Sequence, residues 1–341
     1  MSIFGRRPKA APATPIDEFW QWWAQEGERG MMTAIKRGKF QKIGEAATAR
    51  VDAMSSQLNW AALPGTLSHH CLYVSSAGDP TLRPLVERWV RAAPARSDDW
   101  EFSATRPRNP DALPNAVEVD GVDVWPMESR VDFEVDTRRS KLDIRLYNPR
   151  FVDLDGDAVD RCVYMFLDWA LGEDAVERWI GGIETTHIEP EQAITLDVLA
   201  ETVSAMVEEF AEPRMVLMES TTPAGKPRFI MATAPLQSQN HPLFDRHSQI
   251  WLPYEPREDT GLPTDDSLTA LREIEDRLVD ALEHRAVLLV HESWEGQRLL
   301  HFYSDSHDPE ARSIIDRVAD PAASAIRHSI DPGWRDLSRY K

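Results

Sequence analysis

Histidines in the last hundred residues are the side chains best suited to chemistry. His291, His301 and His328 all fall on predicted strands. The hairpin turn predicted between the first two would place them opposite each other or one step out of register. On one exposed face, they could form a metal pair or an acid–base pair near Glu292 or Asp305. No third ligand or nucleophile is placed beside them, so ordinary strand residues are the favoured interpretation.

Two other stretches resemble ligand sets, but their spacing is unsuitable. In His69-His70-Cys71, neighbouring side chains of a strand point to opposite faces and cannot all bind one ion. Asp153–Asp157 resembles a calcium loop, but its Gly156 comes two places early and the twelfth position is Tyr164 rather than Glu. A loop that caps the next helix is favoured there.

Motifs of catalysis are absent from the sequence: there is no Gly-rich phosphate loop, nucleophile elbow or His-Glu-x-x-His. The sequence therefore predicts no catalytic residue, no cofactor and no metal. Metal-assisted hydrolysis by the strand histidines is the main catalytic alternative.

The charge of the chain argues against two kinds of partner. Its 341 residues include 57 acidic residues against 38 Lys and Arg, a formal net charge of -19. Such a surface repels nucleic-acid backbones and anionic lipids, so neither is expected as a partner. A basic patch near the N-terminus could attract such partners locally, but it is interpreted as a solvated tail and a solvated helix face. Its residues are Arg6, Arg7, Lys9, Lys36, Arg37, Lys39 and Lys42.

Cysteine content and hydropathy predict a cytoplasmic protein. Cys71 and Cys162 lie far apart and form no disulfide framework, so reduced thiols are expected. No apolar run approaches the roughly 20 residues of a membrane helix. No apolar segment follows Arg6-Arg7 as a secretory signal would require.

The first part of the chain is predicted to be a disordered basic tail over residues 1–15, followed by an α+β domain over residues 16–210. Asp17 is a candidate N-cap for a helix through the aromatic cluster Phe19–Trp23, which is more typical of a core than of a docking face. Alternating residues in 131–135 and 142–146 predict a hairpin. Helices over a largely antiparallel sheet are expected.

Residues 211–341 are predicted to form a second α+β domain, a β-hairpin followed by β-α-β-β-α-β. Strands are predicted near 215–218, 229–232, 250–254, 287–290, 299–303 and 326–330, and helices near 266–283 and 309–318. Parallel pairing of the outer strands through helical crossovers would give a ferredoxin-like sandwich. Helices would cover one face of its sheet, and the other face would be free to bind a partner. Both domains are α/β sandwiches with mainly antiparallel sheets.

Several short motifs in residues 213–341 resemble a bacterial domain of unknown function, the family numbered 695. They are Gly225-Lys226-Pro227, Pro253-Tyr254, Gly261-Leu262-Pro263, Leu271, Glu275-Asp276, Gly296-Gln297-Arg298, Phe302-Tyr303 and Asp331-Pro332-Gly333-Trp334. The ending is also similar to that of proteins like the small acidic inhibitor of ribonuclease E. This second resemblance implies a protein-binding regulator rather than a catalyst.

Together these observations predict a non-catalytic, protein-binding or regulatory module of bacterial type. Its expected binding surface is aromatic, formed by Trp251, Tyr254, Trp294, Tyr303 and Trp334. A small-molecule sensor with a cleft between the two domains is a further alternative. The partner is another protein, and homo-oligomerisation is left open.

Overall fold

The computed structural model describes residues 13–340. Within the described residues, the first of two units contains residues 13–77 and Leu85–Thr105, and the second contains Gly78–Pro84 and residues 106–340. The predicted domain boundary near residue 210 stays a prediction. Most of the predicted tail, residues 1–12, lies outside the described residues. Pro15 already begins a helix.

The first unit begins with α1 (Pro15–Trp22), α2 (Glu28–Arg37) and α3 (Gln41–Met54), and a π-helical turn, Trp23–Gly27, joins α1 to α2. A further helix, α4 (Arg83–Arg91), lies later in the chain and belongs to this unit except for its first two residues. The N-cap of α1 is Thr14 rather than the predicted Asp17. The Thr14 hydroxyl accepts from the Asp17 N–H, and the Asp17 carboxylate accepts from the Thr14 N–H, which is a capping box.

A three-stranded sheet completes this unit. Its strands, β1 (Asn59–Pro64), β2 (His70–Ser75) and β3 (Trp100–Ser103), lie in this order, with β1 antiparallel and β3 parallel to β2. Within the unit, Trp20 stacks on the buried Trp89 with ring centroids 4.7 Å apart. The aromatic cluster is therefore core, as its helical spacing indicated.

The second unit begins with two small sheets and three helices. The elements are β4 (Val117–Val119), β5 (Val122–Val124), β6 (Arg130–Asp136), β7 (Lys141–Tyr147), α5 (Gly156–Leu171), α6 (Glu173–Trp179), β8 (Ile180–Thr186) and α7 (Leu196–Glu209). The predicted hairpin is confirmed as β6–β7, and β8 pairs parallel to β7. Apolar residues of α5 and α7 pack with those of this sheet in one cluster.

The largest sheet follows. Its elements are β9 (Arg214–Thr221), β10 (Pro227–Ala234), β11 (Arg246–Pro253), α8 (Asp265–Leu282), β12 (Ala286–Trp294), β13 (Gln297–Ser304), α9 (Pro309–Ala319) and β14 (Ala325–Ile330). The strand order is β14-β11-β13-β12-β10-β9, and every neighbouring pair is antiparallel. The predicted parallel pairing is wrong, because a third strand separates the two strands that each helix connects.

The two faces of this sheet have different covers. Leu271 and Leu278 of α8 and Ile315 of α9 pack on one face. On the opposite face, residues 331–340 lie over the strands, and we call them the C-terminal segment. Its Trp334 and Leu337 are buried against that face. The prediction of a free face is therefore wrong over this area, because the C-terminal segment supplies the missing apolar layer.

Membrane-spanning helices are absent from residues 13–340, since none of the helices there combines sufficient length with a sufficiently apolar composition. The helices and sheets described above form an α+β arrangement with mainly antiparallel sheets, in agreement with the predicted class.

Candidate functional site

Strand register brings a set of polar side chains to the sheet face under the C-terminal segment. His247 of β11 lies opposite Tyr303 of β13, and His301 is two residues from that pair on the same face. A bulge between Leu288 and Val290 shifts the pairing of β12 by one residue. Val290 therefore lies opposite His301, so even-numbered residues of β12 share its face. The bulge thus turns Glu292 toward His301.

A row of hydrogen bonds runs from the surface into the interior. The Nδ1 atom of His247 is 2.9 Å from Oδ2 of Asp336, and its Nε2 atom is 2.9 Å from Nδ1 of His301. The Nε2 atom of His301 is 3.3 Å from the Tyr340 hydroxyl and 3.6 Å from Oε1 of Glu292. Asp336 is about half exposed, whereas both imidazoles and Glu292 are at most 1% exposed.

Glu292 is a fully buried carboxylate with several partners. Arg228 lies 2.7 Å from its Oε2 atom, while Arg339 at 2.9 Å and the Tyr340 hydroxyl at 2.8 Å donate to Oε1. Burial acts to raise the pKa of Glu292. The hydrogen bonds from His301 and Tyr340 and the two guanidinium charges outweigh burial, so its pKa lies below the ordinary value. Glu292 is therefore ionised at neutral pH.

Asp331 fixes the turn that carries the rest of the C-terminal segment. Its carboxylate accepts from the Tyr303 hydroxyl at 2.6 Å and from the backbone N–H groups of Arg335 and Asp336 at 2.9 and 3.0 Å. These bonds hold the first turn after Trp334 against the sheet. They also bring the Asp331 carboxylate close to His247.

His247, Asp331 and Asp336 form a candidate metal site. One ligand atom of each lies within 4.8 Å of the other two, and no other group of three His, Cys, Asp or Glu side chains in residues 13–340 is found so close together. His247 and Asp331 are buried, and Asp336 opens to solvent. One imidazole nitrogen and two carboxylates suit a divalent transition metal, with positions left for water.

The three histidines singled out from the sequence do not converge. His291 lies on the helix-covered face, where its Nδ1 atom is 3.1 Å from Glu275. Arg298 donates to the same carboxylate at 2.8 Å. His328 lies on the same face but bonds to other residues, and His301 lies on the opposite face. The alternative of a metal held by all three therefore lacks the geometry it needs.

His328 is part of a Ser–His–Asp row that resembles a catalytic triad only in composition. Its Nδ1 atom is 2.8 Å from the Ser248 hydroxyl, and its Nε2 atom is 2.9 Å from Asp316. The serine is completely buried, while the aspartate is about half exposed. A nucleophile must reach its substrate, so this row has the wrong end exposed for acyl transfer.

The predicted aromatic surface is only partly accessible. Tyr303 and Trp334 are buried at the sheet face and offer no surface. The other three are half-buried, with Trp251 under the guanidinium of Arg327, Trp294 under that of Arg228, and the Tyr254 hydroxyl bonded to Gly261. Of the five predicted surface residues, only these three are accessible to a partner.

The remaining candidate stretches have structural roles. His69 is exposed beside Asp99, while burial raises the pKa of the Cys71 thiol to about 12. Asp155 caps α5 by accepting from the Ala158 N–H at 2.8 Å, which confirms the interpretation of the calcium-like stretch as a capping loop.

His247, Asp336 and Tyr340 were not predicted as site residues, and Asp331 entered only as part of a motif. The available signal was the spacing of Trp334, Leu337 and Tyr340, three residues apart. Such spacing places apolar side chains on one side of a helical turn and indicates a packed segment. Polar residues between them would then lie at the edge of that contact.

A second group of buried carboxyls lies beside α6. Burial raises the pKa of Glu177 to about 7, although its partner Arg83 at 3.1 Å opposes the shift. The pKa of Asp168 is raised to about 6, again mainly by burial. Both carboxyls therefore bind protons more tightly in the folded chain than in the unfolded chain.

The contribution of Glu177 to stability should consequently fall as pH rises between about 4.5 and 7. Glu177 contributes stability that is complete below its unfolded pKa and is lost through its folded pKa. The slope from this residue approaches about 1.4 kcal/mol per pH unit. The substitution Glu177→Gln should flatten the dependence, as measured by urea unfolding at several pH values. Glu191→Gln, at an exposed position, is the control. An unchanged slope in the Glu177 variant would contradict the assignment.

The fold and this site define an α+β protein with a buried His–carboxylate row on an antiparallel sheet. Residues 197–339 match the model of a family of unknown function, DUF695, which confirms the first resemblance in less than half of the chain. No curated protein matches the chain. A conserved hypothetical protein from Aquifex aeolicus is similar in structure at 12% identity and a TM-score of 0.15. The similarity covers 40% of this chain and 60% of that one, and it is too low to support an argument.

Proposed function

We propose that the second unit is a divalent-metal-binding module, with His247, Asp331 and Asp336 as its protein ligands. The observation that carries the proposal is the approach of their ligand atoms to within 4.8 Å, with the imidazole completely buried. This proposal departs from the sequence-based expectation of no metal. It rests on residues that sequence analysis had not combined.

The number of protons along the row supports a bound cation. Asp336, His247 and His301 are joined by two hydrogen bonds, and His301 lies 3.6 Å from Glu292; each of these three contacts needs one hydrogen to be favourable. Ionised carboxylates at the two ends bring none, and two neutral imidazoles bring one each. The row therefore lacks one proton, unless an extra proton or a cation is supplied or the Tyr340 hydroxyl donates to His301.

A metal ion on Nδ1 of His247 removes this deficit. The proton of that ring then lies on Nε2 and is donated to His301, whose own proton points toward Glu292. Outer partners of this kind fix the tautomer and orientation of a metal-binding histidine. The alternative of an extra proton is disfavoured at His247, because burial lowers its pKa even though Asp336 opposes the shift.

One neutral arrangement competes with the metal. In it, Tyr340 turns its hydroxyl proton from Glu292, at 2.8 Å, to His301, at 3.3 Å. The hydroxyl then gives up a short hydrogen bond to the charged Glu292 for a longer one to a neutral nitrogen of His301, and the longer bond is the weaker interaction. The metal-bound arrangement keeps the shorter bond.

Titration of the metal-free full chain with Zn²⁺ in a calorimeter tests the proposal. One strong site is expected, and both His247→Ala and Asp336→Ala should abolish it. Because Asp336 is half exposed, its variant should fold normally even if the His247 variant does not. His301→Phe keeps a ring but removes the outer partner, so Zn²⁺ should bind about 10- to 100-fold more weakly.

Asp316→Ala is the matched control, because it also removes an aspartate bonded to a histidine but lies on the other sheet face. Its affinity should equal that of the wild type. Absence of a strong site in the wild type, or equal binding by Asp336→Ala, would refute the proposal. Metal-assisted hydrolysis needs this same site and is therefore tested only if the metal binds.

A protein partner is the second candidate function. β9 ends the sheet order, and Met215, Val216 and Leu217 on it are exposed. An apolar edge strand of this kind can pair with an extended segment of another protein. Such a partner should protect the amides of β9 from hydrogen exchange, and unchanged exchange in its presence would count against this role.

The four strands β11 to β14 and the two helices between them also allow a more specific fold to be proposed. We infer a ferredoxin-like arrangement for β11 to β14, supported by their order β14-β11-β13-β12 and by two helices on one face. The regulator role implied by the resemblance to the ribonuclease E inhibitor, and the cytoplasmic location, are retained as proposals on the grounds given by the sequence.

A further inference from the structure

The turn between α2 and α3 concentrates positive charge in an acidic protein. Lys36 and Arg37 end α2, Lys39 and Phe40 lie in the turn, and Lys42 lies in the first turn of α3. All five side chains are exposed, and we call them the basic corner. The sequence from position 29 to 44 contains no acidic residue, although the whole chain carries -19. Among the described residues, no ion pair neutralises its four cations.

Only two of these four cations stabilise the helix in which they lie. Lys36 and Arg37 lie at the C-terminal end of α2, where cations interact favourably with the helix dipole. Lys39 and Lys42 flank the N-terminus of α3, where a positive charge is unfavourable. Their position therefore costs stability locally, and residues that break a local rule in this way often serve a function.

Phe40 breaks a second local rule at the same place. It occupies the N-cap position of α3 but makes no capping hydrogen bond, although Ser, Thr, Asp or Asn would stabilise the helix there. Phe40 is 47% exposed and lies between Lys39 and Lys42 in the sequence. Gly38, in the left-handed conformation with φ of 63°, ends α2 and reverses the chain so that this ring is presented at a corner.

We propose that the basic corner binds an anionic lipid surface, with Phe40 inserted among the headgroups and the four cations in contact with their phosphates. Amphipathic combinations of basic and aromatic residues bind such interfaces. The remaining acidic surface does not prevent this contact, because charges more than about 8 Å away are largely screened at physiological ionic strength. The proposal departs, at this corner, from the expectation of no membrane partner that was drawn from net charge.

Nucleic acid fits this corner less well. Sequence-independent binding of single strands uses a groove with several aromatic platforms, whereas the corner presents one ring. A helix lying along a duplex needs a continuous basic face, but exposed Glu45 and Asp52 follow Lys42 on α3 and would repel phosphates. A lipid surface requires contact only at the corner itself.

Co-sedimentation of the full chain with vesicles tests the proposal. Vesicles of phosphatidylcholine with about 30% phosphatidylserine should bind the protein at 0.15 M salt, and pure phosphatidylcholine should not. Each lost cation should weaken binding about fivefold, so Lys39→Ala/Lys42→Ala should bind about 25-fold more weakly. Phe40→Ser should also weaken binding. These changes relieve unfavourable helix-start interactions, so a lower melting temperature is not expected.

Two controls separate other sources of binding. Lys226→Ala removes an exposed cation far along the chain and should bind as the wild type does. Arg6→Ala/Arg7→Ala/Lys9→Ala removes the basic residues of the N-terminal stretch and should keep most of the affinity. Binding lost in that variant but retained in the corner variant would overturn the proposal. So would absence of binding to anionic vesicles, or corner-dependent binding to an oligonucleotide alone.

Discussion

Replacing Trp334 by alanine is expected to lower the free energy of unfolding by about 3 to 5 kcal/mol. The indole is 1% exposed, lies 5.0 Å from the ring of Tyr303 between centroids, and donates to the Phe244 carbonyl at 2.8 Å. Its removal leaves a cavity between the C-terminal segment and the sheet and an unpaired carbonyl. Urea unfolding of the full chain, followed by circular dichroism, measures the loss.

Trp125→Ala is the control for this prediction. Trp125 is 36% exposed, so less apolar contact is lost and the decrease should be clearly smaller. Equal destabilisation by the two substitutions would mean that the C-terminal segment does not supply a stable layer over the sheet. Because Asp331 and Asp336 lie in that segment, Trp334→Ala should also weaken Zn²⁺ binding.

Replacing Glu292 by alanine is the second substitution with a large expected effect, about 3 to 5 kcal/mol. The change leaves Arg228 and Tyr340 without their buried acceptor, and His301 loses the carboxylate at the end of its row. Uncompensated polar groups in a buried site cost more than the ion pair itself contributed. The measurement is again urea unfolding, and Glu219→Ala, on exposed β9, should change stability by no more than about 0.5 kcal/mol.

The dependence on pH adds an independent check on Glu292. Its folded-state pKa lies below the ordinary 4.5, so its contribution is present above that pH and is lost as pH falls toward the folded value. The difference in stability between wild type and Glu292→Gln should therefore shrink in acid. A difference that grows in acid would show that Glu292 is protonated in the folded chain.

Local patterns were sufficient to predict much of the fold. Residues alternate in β6 and β7 and follow helical spacing in α8, because one side of each element is buried. Neighbouring residues in the sequence are enough to show which side that is. The order along the chain of the strands and helices that form the largest sheet was predicted for the same reason. Which strands pair was not predictable in this way, since the sheet order depends on contacts between distant segments.

The candidate site depended on those distant contacts. The bulge near Leu288 determines whether His291 or Glu292 faces His301, and no pattern in the sequence predicted this bulge. His247 and Asp336 are 89 positions apart and meet only because the C-terminal segment folds back over the sheet. The spacing after β14 indicates a packed segment, but no local pattern shows where Asp331 and Asp336 lie on the sheet.

The position of β11 within the sheet has a consequence for how the chain folds. Both of its neighbours, β13 and β14, come later in sequence, and contacts across the two pairs span 54 and 80 positions. Loop closure over such distances is slow, so hairpins such as β12–β13 should form first. Until β14 arrives, β11 has an unpaired edge that favours aggregation and chaperone capture. Pulse-labelled hydrogen exchange should show β14 among the last strands protected during refolding, and early protection of β14 would exclude this order of events.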